Sequence, residues 1–243
     1  MPTLDIESTS GEIRVEAVNF QNARNAAGLG TSLSVDLTDA VEFGGYTIFS
    51  TSFRIYRVFY CFDVSGISAA PASATLDLTA YAASANGDFI LVKGDEPNSS
   101  SSNLIIQDWI TGITGLTKSN AGGDYAGVTT DYSSVFTMTS VATHQITLNS
   151  TALNDIANNN FFNVVLMNST NDHRDVDPSA GNHLDKFVRI RGLTYGTASE
   201  RPKLNYTVAS AGYTHNVMGV AAANVAKVNG VATANIDKIN GVD

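Results

Sequence analysis

The chain has 243 residues, with 14 lysines and arginines against 23 aspartates and glutamates, a formal charge of −9. Charged residues are only 15% of it, against about 25% in ordinary soluble proteins. The 43% apolar content excludes an acidic disordered tail and supplies a real core. A pI near 4.7, with no block of Lys or Arg to displace phosphate counterions, argues against nucleic acid as a partner.

The first residues, Met1-Pro2-Thr3-Leu4-Asp5, carry neither a basic nor an apolar leader region, so no signal peptide is expected. No run of about 18 apolar residues follows anywhere, so no membrane insertion is expected. Residues 13–20 and 33–37 are weak strand candidates. The segment 53–64 (FRIYRVFYCFDV) is the strongest structural signal. Tyr56, Val58, Tyr60, Phe62 and Val64 alternate with Ile55, Arg57, Phe59, Cys61 and Asp63. Both sets hold large apolar groups, as in a central strand covered on both faces. Arg57, buried on such a strand, needs a carboxylate, and Asp63 or Asp77 is the nearest candidate by sequence. Cys61 is the one cysteine, so no internal disulfide forms.

Residues 75–81 (TLDLTAY) alternate cleanly, as in a half-buried antiparallel strand. Segments 89–93, 161–167, 187–191 and 203–208 read as further strands, and 135–138 and 144–148 as weaker ones. Polar turn clusters at 86–88, 95–102, 119–123 and 168–181 separate them. Helix is scarce: 103–110 could be helix or strand. Residues 150–157 predict a short helix with Ser150 or Thr151 as its N-cap and Leu153 and Ile156 turned inward. Many short strands without βαβ spacing predict an all-β, antiparallel jelly-roll β-sandwich over residues 1–208.

The character changes after Val208. Residues 217–227 (VMGVAAANVAK) and 228–238 (VNGVATANIDK), then 239–243 (INGVD), repeat with an 11-residue period. A helix would gather Val217, Val220, Val225, Val228, Val231 and Ile236 on one broad face, but would place a Gly in every repeat. Asn229-Gly230 and Asn240-Gly241 are hairpin dipeptides, which favours extended segments joined by tight turns. Two and a half repeats bury too little to stand alone. Residues 209–243 are therefore expected to dock through Val217, Val220, Val225, Val228, Val231, Ile236, Ile239 and Val242.

Two groups of residues invite a chemical reading. Trp109, with Tyr125 and Tyr132, could form an aromatic platform for a sugar ring, although a lone Trp is more often core. Asp172, Asp175 and Asp177, in a loop that also holds His173, His183 and Asp185, could ring a Ca²⁺ with oxygen ligands. Arg174 within that loop opposes a cation, and a solvated loop with Asx-turns is the plainer reading. No cofactor is expected apart from such an ion. The four His are dispersed, and no G-x-S-x-G, H-E-x-x-H or phosphate-cradling glycine loop occurs, so no enzyme is expected.

The run Arg57-Val58-Phe59-Tyr60-Cys61-Phe62-Asp63-Val64-Ser65-Gly66-Ile67, followed by Ala72-Ser73-Ala74-Thr75-Leu76-Asp77-Leu78, resembles the core of the DNRLRE-type jelly-roll domains, related in fold to carbohydrate-binding modules. Residues 198–206 (ASERPKLNY) look like the closing strand of those domains. The likeness spans roughly residues 10–208, while 95–145 departs from it. The repeat N-G-V-A-x-A-N-I-x-K looks like short tails on structural proteins of tailed bacteriophages. The resemblance implies a virion protein, made in a host cytoplasm without a signal peptide. It would be a capsid decoration or a fibre-like appendage subunit, homo-oligomeric, with a trimer as one form. Its partners would be other virion proteins. A carbohydrate-binding module or adhesin recognising host-surface glycan is the alternative.

Overall fold

A computed structural model describes residues 1–25, 32–36, 41–49, 52–83, 87–99, 104–105, 107–117, 120, 123–178, 185–209, 227–228 and 231–232. Four strands form one sheet in the order β1 (Thr3–Asp5), β12 (Lys203–Thr207), β6 (Ser73–Ala83), β9 (Thr143–Thr147). Four more form the second, in the order β5 (Ser52–Asp63), β10 (Phe161–Asn168), β7 (Asp88–Lys93), β8 (Phe136–Thr137). Numbered by their own chain order, these eight run 1-8-3-6 and 2-7-4-5, the antiparallel wrapping of a jelly roll. The body is thus an all-β sandwich.

The remaining strands decorate this frame. β2 (Gly11–Ala17) pairs along the far side of β5 and carries β3 (Ser32–Asp36) outward. β4 (Val41–Phe49) pairs with the first part of β5, and β11 (Lys186–Arg191) joins β4 to the last part of β6. One flank of the sandwich is thereby closed by hydrogen-bonded strands. The opposite flank, between β8 and β9, has no strand across it among the described residues.

Most strands lie where the alternation places them, within two residues at each end. The β4 segment was not predicted as a strand, because two glycines break its apolar pattern. Both glycines have a structural reason. A Cβ on Gly44 would stand 2.9 Å from Leu166 Cδ2, and Gly45 has φ +102° with Lys186 O 2.1 Å from where its Cβ would be. They sit where β10 takes over from β4 alongside β5, so only bare backbone fits.

Three short helices complete the body: α1 (Phe20–Asn25), α2 (Asp108–Thr111) and α3 (Ser150–Asn158). The expected α3 is present, but its N-cap is Asn149, whose side chain accepts from the Ala152 N–H, and not Ser150 or Thr151. Asn149 is in extended conformation, so its amide oxygen reaches back over the first turn. Ile156 is buried and Leu153 packs partly against the core.

Two cores result, and β5 belongs to both. Val58, Tyr60 and Phe62 face the space between the sheets with Leu76, Leu78, Leu166 and Ile190. Ile55 and Phe59 face outward into a second layer with Ile13, Val15, Phe20, Trp109, Ile113 and Met167. That second layer is made by α1, α2 and the chain around 104–125. The two-sided covering expected of segment 53–64 is therefore present.

In the tail, β13 (Lys227–Val228) pairs antiparallel with β14 (Val231–Ala232), with Val228 opposite Val231. This register leaves a two-residue connection at Asn229-Gly230, as the hairpin reading requires. Val217, Val220, Val225, Ile236, Ile239 and Val242 lie outside the described residues.

Candidate functional site

The sequence-derived candidates converge on one place, the interior of the second layer. Strand alternation turns Arg57 into it from β5. Residues Ser169–His173 form a single π-helical turn after β10, and this wider turn points Asp172 and His173 inward together. Asn168 holds the turn's start by accepting from the Asn171 N–H, and Asp88 accepts from the N–H of Thr170.

Asp172 and Arg57 meet in a two-pronged pair. Arg57 Nε donates to Asp172 Oδ2 at 2.8 Å and Nη2 to Oδ1 at 2.7 Å. Both side chains are wholly buried. Arg57 also donates to the Trp109 carbonyl and lies 3.8 Å over the Trp109 ring. Burial opposes its charge, but Asp172 and Tyr125 outweigh that, so its pKa is raised.

Arg24 of α1 enters the same cluster. It donates to the Asp172 carbonyl at 2.7 Å and the Gly123 carbonyl at 2.6 Å, and stacks 3.9 Å over Tyr125. Its Nη1 lies 3.2 Å from Asp175, which also accepts from Gln21. Two guanidinium groups thus face two carboxylates, and the buried charge is balanced. Trp109 Nε1 donates to the Arg24 carbonyl at 2.8 Å, fastening α2 to α1. His173 is buried beside them, 3.3 Å from Asp131 and 2.9 Å from Thr129 Oγ1. Burial lowers its pKa, with Asp131 and Asp172 pulling the other way.

This geometry corrects three expectations. Arg57 pairs with neither Asp63 nor Asp77. Asp63 is exposed and accepts from Ser65, and Asp77 accepts from Thr75 and Gln145 on the other sheet. The sugar platform is not formed. Trp109, Tyr125 and Tyr132 are exposed by 1%, 0% and 1%, and Tyr132 belongs to the inter-sheet core, stacked on Phe162 at 5.1 Å. Their ring faces are taken by arginines and by a phenylalanine, so none is open to a sugar.

The Ca²⁺ ring is not formed either. Both oxygens of Asp172 are held by Arg57, Asp175 faces Arg24, and Asp177 points to solvent. Cationic side chains occupy the place a metal would need. Among the described residues, no three His, Cys, Asp or Glu are grouped to hold a metal ion. His183 lies outside those residues, and Asp185 accepts from the Ile48 N–H.

Two surface grooves remain. One of about 450 Å³ runs past the end of β7 and the start of β10, lined by Lys93, Asp95, Asn98, Asn160, Phe161 and Asn163. Lys93 there is paired with Asp155 of α3 at 3.0 Å, and Tyr132 donates to the same carboxylate. The other, of about 400 Å³, lies on the open flank between β8 and β9, lined chiefly by Val135, Phe136, His144, Ile146 and Leu148. Sequence reasoning found neither, because each joins segments distant along the chain. No protein-family model matches the chain, and no curated protein matches it.

Proposed function

We propose that the protein is a bacteriophage virion structural protein, a capsid decoration or fibre-like appendage subunit. Its jelly-roll body faces outward, and its C-terminal repeats carry it onto the particle. It works by assembly rather than chemistry. Extended, Val-rich repeats joined by tight turns gain backbone pairing and apolar burial when laid against a partner. The observation that supports this reading is the register of β13 and β14, with Val228 opposite Val231 across Asn229-Gly230. A unit extended in this way has free strand edges to offer.

The buried arginine cluster supports the same reading. The residue types best suited to chemistry are used to fasten the second layer, which suits a rigid displayed body. The test is removal of residues 216–243, followed by purification of particles. The expected result is a folded protein that no longer joins particles. Incorporation at the level of the full chain overturns the proposal.

Glycan recognition is the second reading, and the groove at the end of β7 favours it. Three asparagines and Asp95 beside the Phe161 ring offer planar donors and acceptors next to an apolar face, a combination suited to neutral polyhydroxyl ligands. A glycan array is expected to show binding that Asn160→Ala weakens. A flat array removes this reading.

A further inference from the structure

The open flank of the sandwich is unlike every other part of the body. β9 pairs with β6 on one side only, and β8 with β7 on one side only. Both bare edges face the same gap between the sheets. The hydrogen bonds Leu148 N–H to Ala74 O and Ala80 N–H to Ala142 O set the phase of the β6–β9 ladder. With this phase, His144 and Ile146 direct their backbone groups to β6, and Thr143, Gln145 and Thr147 direct theirs to the open edge. The gap is apolar at its floor, with Phe136, Ile146 and Leu148. Val135, at its lip, and Val141, in the connection from β8 to β9, are exposed by 49% and 70%. Such an edge is a template for one more strand.

The chain's own path names the occupant. β12 and β9 both run antiparallel to β6, so they run parallel to each other, and Thr207 and Thr147 finish at the same end, opposite Ser73 and Thr75. The body ends there, with Val208 exposed by 62%. From β12 to the open edge of β9 is three strand spacings, about 14 Å. The seven residues 210–216 span up to about 23 Å when extended. A chain leaving Thr207 that crosses this end and turns back arrives antiparallel to β9, with residue 217 at the edge.

We propose that the first repeat, residues 217–227 of the same chain, adds a strand antiparallel to β9 and closes the gap between the sheets. In the extended conformation Met218, Val220 and Ala222 share one face and meet Phe136, Ile146 and Leu148. Gly219, Ala221 and Ala223 turn outward. The second repeat, with its β13–β14 hairpin, stays free to meet a partner. This deepens the docking role proposed above by giving the two repeats different acceptors: the protein's own body and the particle.

Amide hydrogen exchange on the full chain tests it. The amides of Thr143, Gln145 and Thr147 are expected to exchange slowly. In the full-length Met218→Asp/Val220→Asp variant they are expected to exchange at least tenfold faster, while His144 and Ile146 keep the protection given by β6. Fast exchange of the three amides in the unaltered chain overturns the proposal, as does exchange that the variant leaves unchanged. Protection that is lost on dilution assigns the edge to a second copy and overturns the intrachain strand. Particle joining is read separately, so failure of the docking role is distinguishable from failure of this strand.

Discussion

The two cores of this protein share strand β5 and are built on opposite principles. Between the sheets, every buried contact of that strand is apolar or aromatic, from Val58 to Phe62. On its other face, Ile55 and Phe59 flank an arginine whose carboxylate partner is 115 residues away. An apolar core tolerates exchange of one hydrophobe for another of similar volume. A buried ion pair tolerates the loss of neither partner singly, because the survivor keeps its desolvation cost. The first core supplies most of the driving force. The second fixes where α1, α2 and the π-helical turn must sit.

The largest effect that would sharpen this contrast is expected at Asp172. Asp172→Ala leaves Arg57 buried with no carboxylate, and should cost about 3–5 kcal/mol in urea unfolding. The double variant Arg57→Met/Asp172→Leu should cost clearly less than that single change. If the double costs as much or more, the two cores do not differ in the way described. A cut into the apolar core should be milder. Leu166→Ala should cost about 2–4 kcal/mol, and the methionine variant under about 1.5 kcal/mol.

A pH effect is expected from the second core alone. His173 is neutral and its pKa is lowered by burial, so the unfolded chain binds its proton more readily than the folded one. Its contribution is therefore full above the unfolded value of about 6.5 and falls away as pH drops towards the folded value. Denaturation midpoints should decline between pH 7 and pH 5, and His173→Gln should flatten that decline. An equal decline in both proteins assigns the acid sensitivity elsewhere. The smallest change is expected at the edge of the inter-sheet core, where Asn149→Ala removes the cap of α3 and should cost about 1 kcal/mol.

The alternation of segment 53–64 was sufficient to announce a central strand with two covered faces, because side-chain period follows directly from backbone pleat. The same held for 75–81 and for 161–167. It failed for β4, where Gly44 and Gly45 erase the period for a reason that lies in β10 and β11, not in β4 itself. The candidate site was legible in pieces. Arg57 was marked as a buried charge in need of a partner, and Asp172, Trp109 and Tyr125 were each marked as unusual. Their assignment to one cluster was not legible, and neither was the role of Arg24, which carries no local signal on a six-residue helix.

What the sequence determined alone was therefore the local grammar: strands, the cap region of α3, the Asn229-Gly230 turn and the spacing of the tail repeats. These depend on neighbours a few residues away. Which carboxylate neutralises Arg57, which rings stay open to solvent and which sheet edges stay bare were decided only by the tertiary structure. Charge pairing and burial are set by distance in space, and segments far apart along the chain become close only once the sandwich has wrapped.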